Sequence, residues 1–140
     1  MKIFVDTNVI IDYLVDRAPY ADDAEAVMDV CVGEGNVGAF TGLSACNAVY
    51  IIGRSTGRSR AELLVKEVAS LIELLPISPD DIKANLGAGH PDFEDSIQIA
   101  AAMAWGADII ITRDKVGFAD SPIKVQTPAE FIADYTAFSA

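Results

Sequence analysis

The sequence predicts an α/β fold with a mostly parallel central sheet, and three observations carry that expectation. Short apolar runs, Lys2-Ile3-Phe4-Val5 and Ile109-Ile110-Ile111-Thr112 foremost, have the length and content of buried strands. Segments with helical apolar spacing and cap signals alternate with those runs, and parallel strands require such crossovers. The 140 residues are 51% hydrophobic, enough for one core, and no linker or repeat divides residues 1–140, so a single domain is expected.

The first strand ends at Asp6, after which Thr7 or Asn8 is placed to cap a short helix through Val15. Arg17-Ala18-Pro19 is a break, and Pro19 suits the start of a helix running to about Val32. Val37 to Thr41 reads as a second strand. Ser44 is placed to cap a helix carrying Asn47, Tyr50, Ile51 and Arg54, which Gly57 ends or kinks. Ser59 is placed to cap the next, with Leu63, Leu64, Val68, Leu71, Ile72 and Leu75 at helical spacing. A strand over Leu74 to Ser78 and a short helix from Asp80 to Leu86 precede the Gly87-Ala88-Gly89-His90-Pro91 turn. Asp92 opens a helix to Trp105, Ile109 to Thr112 is a strand, and Ile123-Lys124-Val125 is the last strand. Thr127-Pro128-Ala129-Glu130 combines a Thr cap, Pro at the first helical position and Glu three after the cap, a strong helix start.

Composition narrows the function classes. The formal net charge of -11 argues against a general nucleic-acid binder with a basic surface. It is compatible with carboxylates that hold cations, because a bound divalent ion reverses the local sign and receives phosphate. No run approaches a membrane span, and Asp6 and Asp12 interrupt the apolar stretch a signal peptide would need, so a cytoplasmic protein is expected. In that compartment Cys31 and Cys46 read as buried free thiols.

Parallel sheets bind ligands beyond the carboxyl ends of their strands. Asp6 stands at one such end, and Thr112, Arg113 and Asp114 at another. Asp95 lies in the first turn of the helix opened by Asp92, where one turn holds three acids that repel one another without a cation. Asp6, Asp95 and Asp114 together form an oxygen-donor set suited to hard ions such as Mg²⁺ or Mn²⁺. Competing chemistries are thin. His90 is the sole histidine and sits in a Gly/Pro turn, which weakens Ser-His-Asp and Cys-His schemes. Gly53-Arg54-Ser55-Thr56-Gly57-Arg58-Ser59 has short glycine spacing for a phosphate loop and Arg58 where the lysine belongs. A phosphohydrolase acting on small esters would want a second Asp two residues after Asp6, where Asn8 stands.

Asp6-Thr7-Asn8-Val9-Ile10, Asp92-Phe93-Glu94-Asp95-Ser96-Ile97-Gln98, Ala107-Asp108-Ile109-Ile110-Ile111-Thr112-Arg113-Asp114 and Val125-Gln126-Thr127-Pro128-Ala129-Glu130-Phe131 resemble, in order, the conserved segments of PIN domains. The resemblance implies a three-layer α/β/α fold and Mg²⁺- or Mn²⁺-dependent cleavage of RNA. Many bacterial members resemble the VapC-type toxins of toxin–antitoxin pairs, which implies a homodimer and a protein antitoxin. By resemblance Asp6, Asp95 and Asp114 are metal ligands, Thr112 is a nearby hydroxyl, and Asn8 orients a carboxylate. Two positions depart from the pattern. Asn47 stands where most members place a Glu, within a stretch resembling a subgroup in which Asn is usual; it is assigned to the catalytic set as a neutral donor. Gly117 stands where many members carry an acid before the Phe of the final loop. Those departures motivate an alternative, a PIN-like protein-binding module with weak or no catalysis. Arg54 shares a helix face with Asn47, and Arg58, Arg60, Arg17 and Arg113 join it as candidates to hold RNA phosphates.

Overall fold

The computed structural model describes residues 1–139; Ala140, the end of the expected span, lies outside the described residues. Five parallel strands form one sheet, β1 (Lys2–Val5), β2 (Val37–Thr41), β3 (Glu73–Leu75), β4 (Ile109–Ile111) and β5 (Lys124–Gln126), in the order β3-β2-β1-β4-β5. Among the described residues seven helices accompany them: α1 (Thr7–Leu14), α2 (Ala21–Cys31), α3 (Gly42–Thr56), α4 (Arg58–Leu71), α5 (Pro79–Asn85), α6 (Phe93–Trp105) and α7 (Pro128–Ser139). Among the described residues no helix is long and apolar enough to cross a membrane.

The period-two alternation of the strands explains why both sheet faces are covered. Ile3, Val5, Phe40, Ile109 and Ile111 enter one core with α1, α2, α3, α4 and Phe131 of α7. Phe4, Ala39 and Ile110 enter the other, with Ile99, Ala101 and Ala102 of α6 and with Phe118. Each fully buried Ile or Phe contributes about 1.5–3 kcal/mol. The result is the expected three-layer α/β/α arrangement. Phe118 is fully buried and so pins the loop between β4 and β5 against the sheet.

Several local expectations are corrected. Asp6 itself caps α1, accepting from the Thr7 amide, so strand end and helix cap are one residue. Thr41 rather than Ser44 caps α3, through a bond from the Ser44 amide. Gly57, at φ 87°, rather than Ser59 precedes α4. The buried face of α4 runs through Ala61, Val65 and Val68, which leaves Leu63 and Leu71 exposed. Strand β3 stops at Leu75 because its partner β2 ends at Thr41, where α3 begins, and Pro76 has no N–H to continue a ladder. Cys31 is buried as expected, but Cys46 is exposed, because α3 turns Ser44, Ala48 and Ile52 inward instead. Helix α2 starts at Ala21, two residues beyond Pro19.

Gly38 marks a close approach of helix to sheet. A Cβ there would lie 2.7 Å from both Cys31 Cβ and Ile72 Cγ2. Neither atom is the end of a long flexible chain. Gly38→Ala should therefore cost about 1–3 kcal/mol as overpacking, read as a lower midpoint in urea unfolding. An unchanged midpoint would mean that α2 slides away from β2 freely.

Candidate metal centre

The sheet register brings the acids to one edge. Val5 pairs with Ile111, so Asp6 and Thr112 emerge side by side at the carboxyl ends of β1 and β4. The Asp6 amide donates to Ile111 O at 3.0 Å, holding the chain at that point. Asp6 is 5% exposed. Its Oδ1 accepts from the Thr7 amide and its Oδ2 from the Thr112 hydroxyl, both at 2.8 Å.

A buried polar network lies beneath it. Gln98 Nε2 donates to Ser44 Oγ at 2.6 Å and stands 3.3 Å from Thr7 Oγ1 and 3.4 Å from Asp6 Oδ1. Gln98 Oε1 accepts from Thr41 Oγ1 at 2.7 Å, and Thr7 Oγ1 and Ser44 Oγ share a hydrogen 2.7 Å apart. These partners come from α1, β2, α3 and α6, so four elements converge on one carboxylate. All of them are neutral.

The β4 loop is stitched to the same place. Thr112 Oγ1 accepts from the Asp114 amide at 3.0 Å and from Asn8 Nδ2 at 3.4 Å, while Asn8 Oδ1 accepts from the Arg113 amide at 3.3 Å. Asp92 caps α6 by accepting from the Asp95 amide at 3.0 Å. Asp6, Asn8, Asp92, Glu94, Asp95 and Asp114 thereby line one open cleft of about 290 Å³.

The crowding shows in the proton affinities. Burial pushes the Asp6 carboxyl up to about 6, and Glu94 and Asp114 add repulsion against the bonds from Thr112 and Thr7. Burial, then Asp6, Asp92, Asp114 and Glu94, push Asp95 up to about 7. Glu94 is raised by burial and by Asp92, with the Asn47 bond opposing.

The donor set is all oxygen and strongly acidic, which suits a hard divalent cation. Among the described residues no three acidic, thiol or imidazole side chains stand ready-made around one point. The space between two of them is nevertheless left open by Gly117. A Cβ on that residue would collide with Asp95 Oδ2 and lie 3.0 Å from Asp114 Oδ2. An acidic side chain there would fill the gap between the two carboxylates, and glycine keeps it free. The set fits an ion that keeps several waters, as Mg²⁺ does.

Not every candidate residue reaches the cleft. Asn47 touches it through Glu94, donating from Nδ2 to Oε1 at 2.5 Å. Arg54 and Arg58 line a separate hollow with Cys46 and Tyr50, where Arg58 pairs with Glu62 at 3.4 Å and Arg54 lies over the Tyr50 ring. Arg113 is drawn elsewhere too. Its guanidinium grips Asp12 at 2.6 and 3.3 Å and lies 3.9 Å over the Tyr20 ring. Arg17 is the one arginine lining the cleft among the described residues, and it sits 3.7 Å from Asp12. Sequence reasoning missed Glu94 and Gln98 as members of the site. Gln98 had a signal: a polar residue between Ile97 and Ile99 in the otherwise apolar part of α6.

The comparisons with known proteins agree with this architecture. The family model of the PIN domain matches residues 2–116. No curated protein sequence matches the chain significantly. Among solved structures, VapC20 of Mycobacterium tuberculosis, a toxin that cleaves the sarcin–ricin loop, is 14% identical at a TM-score of 0.68, covering 84% of this chain and 93% of its own. VapBC-1 of nontypeable Haemophilus influenzae is 18% identical at 0.68, covering 92% and 99%. A toxin–antitoxin complex from Klebsiella pneumoniae is 22% identical at 0.66, covering 90% and 97%. The likeness of fold and the match of the family model over most of the sequence lead to one conclusion: the chain belongs to the PIN-domain family.

Proposed function

We propose that this protein is a ribonuclease dependent on Mg²⁺ or Mn²⁺ and acts in the cytoplasm as the toxin of a toxin–antitoxin pair. The observation that carries the reading is the convergence of Asp6, Asp95 and Asp114 on one cleft, with no cationic side chain among the described residues bound to any of them. The toxin assignment draws support from the fold it shares with toxins and toxin–antitoxin complexes. A cognate antitoxin, a homodimer and the single-domain span of 1–140 are part of the same proposal.

Asp6, Asp95 and Asp114 would hold the ion. When bound, such an ion acts as a Lewis acid on a phosphoryl oxygen and lowers the pKa of a water near the scissile bond. Thr112 fixes the Asp6 carboxylate and, through the Asp114 amide, the next acid as well. Asn8 steadies both the Thr112 hydroxyl and the Arg113 amide, a supporting role. Gln98 approaches Asp6 Oδ1 at 3.4 Å from the interior side and helps to orient it.

Asp6→Asn should lower Mn²⁺-dependent RNA cleavage by about a hundredfold or more, since orienting partners alone cost 10–100-fold. Circular dichroism should show the fold intact. Full cleavage by the purified variant would end the ribonuclease assignment. The alternative, a binding module without catalysis, is the outcome in which neither metal changes the melting temperature and wild-type protein leaves RNA uncut.

Proton and metal compete for these carboxyls. The stabilisation by Mg²⁺ should grow as pH rises through about 6 to about 7, where Asp6 and Asp95 give up their protons. The metal-free protein should behave in the opposite sense. With folded pKa values raised above 3.8, the folded state binds more protons than the unfolded one, so stability falls as pH climbs from about 4 through about 7. Melting curves over that range, with and without Mg²⁺, read both slopes. A metal-free slope of the opposite sign, or one that survives Asp95→Asn undiminished, would refute the crowding.

A further inference from the structure

Asn47 on α3 and Glu94 in the first turn of α6 meet at the cleft, the amide nitrogen donating to Glu94 Oε1 at 2.5 Å. Glu94 lines the cleft beside Asp6, Asp95 and Asp114. Among the described residues no cation pairs with it, and its Oε2 accepts no hydrogen bond. An amide orients a carboxylate but does not neutralise it. The one arginine lining the cleft, Arg17, sits against Asp12. Glu94 therefore presents a free, uncompensated oxygen beside four other acids, Asp6, Asp92, Asp95 and Asp114, on a side chain whose far end is fixed by a neighbouring helix. Asn47 is used as a donor, with its nitrogen rather than its carbonyl turned to the acid.

We propose that Glu94 is a direct cation ligand of this cleft and that Asn47 is the positioning residue that holds it. The amide on α3 and the carboxylate on α6 act as one unit, and exchanging them between the two helices preserves both groups. The inference rests on the proposed metal site, and it places a fourth carboxylate there that comes from α6 rather than α3.

The test is Mn²⁺ affinity of the purified protein, by isothermal titration calorimetry or by the electron paramagnetic resonance signal of free Mn²⁺, without reference to cleavage. Glu94→Gln should weaken affinity by about tenfold or more, because ligand charge sets affinity at oxygen sites. Asn47→Ala should weaken it by about tenfold through loss of orientation. The double exchange Asn47→Glu with Glu94→Gln should return affinity to within about threefold of wild type, a rescue that a merely structural pair would not give. Metal-free circular dichroism and melting show that each variant is folded. Unchanged affinity in Glu94→Gln, with affinity lost in Asp6→Asn, would overturn the role of Glu94 and leave the metal site standing. An exchange variant as weak as Glu94→Gln would overturn the pairing. A wild-type protein that binds no Mn²⁺, or an Asp6→Asn variant that binds it undiminished, would remove the site and this inference together.

Discussion

Asp6 is a buried carboxylate held by neutral partners only, and the arrangement of the whole carboxyl edge of the sheet follows from that. Taking a charge out of water costs several kcal/mol even after relaxation. Hydrogen bonds to a charged group return about 1.5–3 kcal/mol each, and Asp6 accepts from Thr112 and Thr7. Asp12, on the α1 that Asp6 caps and 1% exposed, shows the other solution. It is gripped by Arg113 and approached by Arg17. One helix and its N-cap thus carry two buried aspartates, one neutralised by the protein and one left with its charge unmatched. The unmatched one faces the cleft where four further acids gather, Asp92, Glu94, Asp95 and Asp114, an electrostatic demand that a divalent cation would meet.

The two aspartates are also mechanically linked. Arg113 lies between Thr112 and Asp114, so its grip on Asp12 ties the loop after β4 to α1. Phe118 ties the far side of the same loop into the core beneath the sheet. Asp114 and Gly117 are suspended between these anchors, with the Gly117 amide donating to Asp114 Oδ1 at 3.1 Å. A loop fixed at both ends holds its carboxylate at a set distance from the strand-borne Asp6, and sites of this kind are as rigid as the elements that carry them.

Much of this was legible in the sequence, and the reasons are local. Strands announced themselves as short apolar runs, and the rule that ligands gather beyond parallel strand ends pointed to Asp6 and Asp114. The Thr127–Glu130 capping box forms as expected, each residue bonding the other's amide. What sequence could not show is pairing across long separations. Nothing near Arg113 in sequence shows that Asp12, 101 positions earlier, holds it. Glu94 reads in sequence as one of three helix-end acids, and only the meeting of α3 and α6 sets Asn47 against it. Cap assignments failed by small offsets, Thr41 for Ser44 and Asp6 for Thr7, because several hydroxyl and acid residues stood within reach of the same amides. The exposure of Cys46 and Leu63 depended on which face of each helix the sheet covers, a tertiary choice that apolar spacing alone leaves open.

The distribution of charge has a consequence for how RNA would be held under the proposed function. Proteins that bind nucleic acid through basic surfaces gain affinity by releasing counterions from the phosphates. Here acids outnumber bases by 21 to 10, and Arg54, Arg58 and Arg113 all point their charge at other partners. A phosphate would approach a negative cleft with Arg17 as its one basic neighbour. Only a bound cation reverses that sign. Under that function metal loading and RNA binding would be coupled, and the metal-free cleft would repel a phosphate. Selectivity falls to the remaining lining of the cleft, where Ile51, partly exposed beside the acids, offers an apolar surface against which a base can pack.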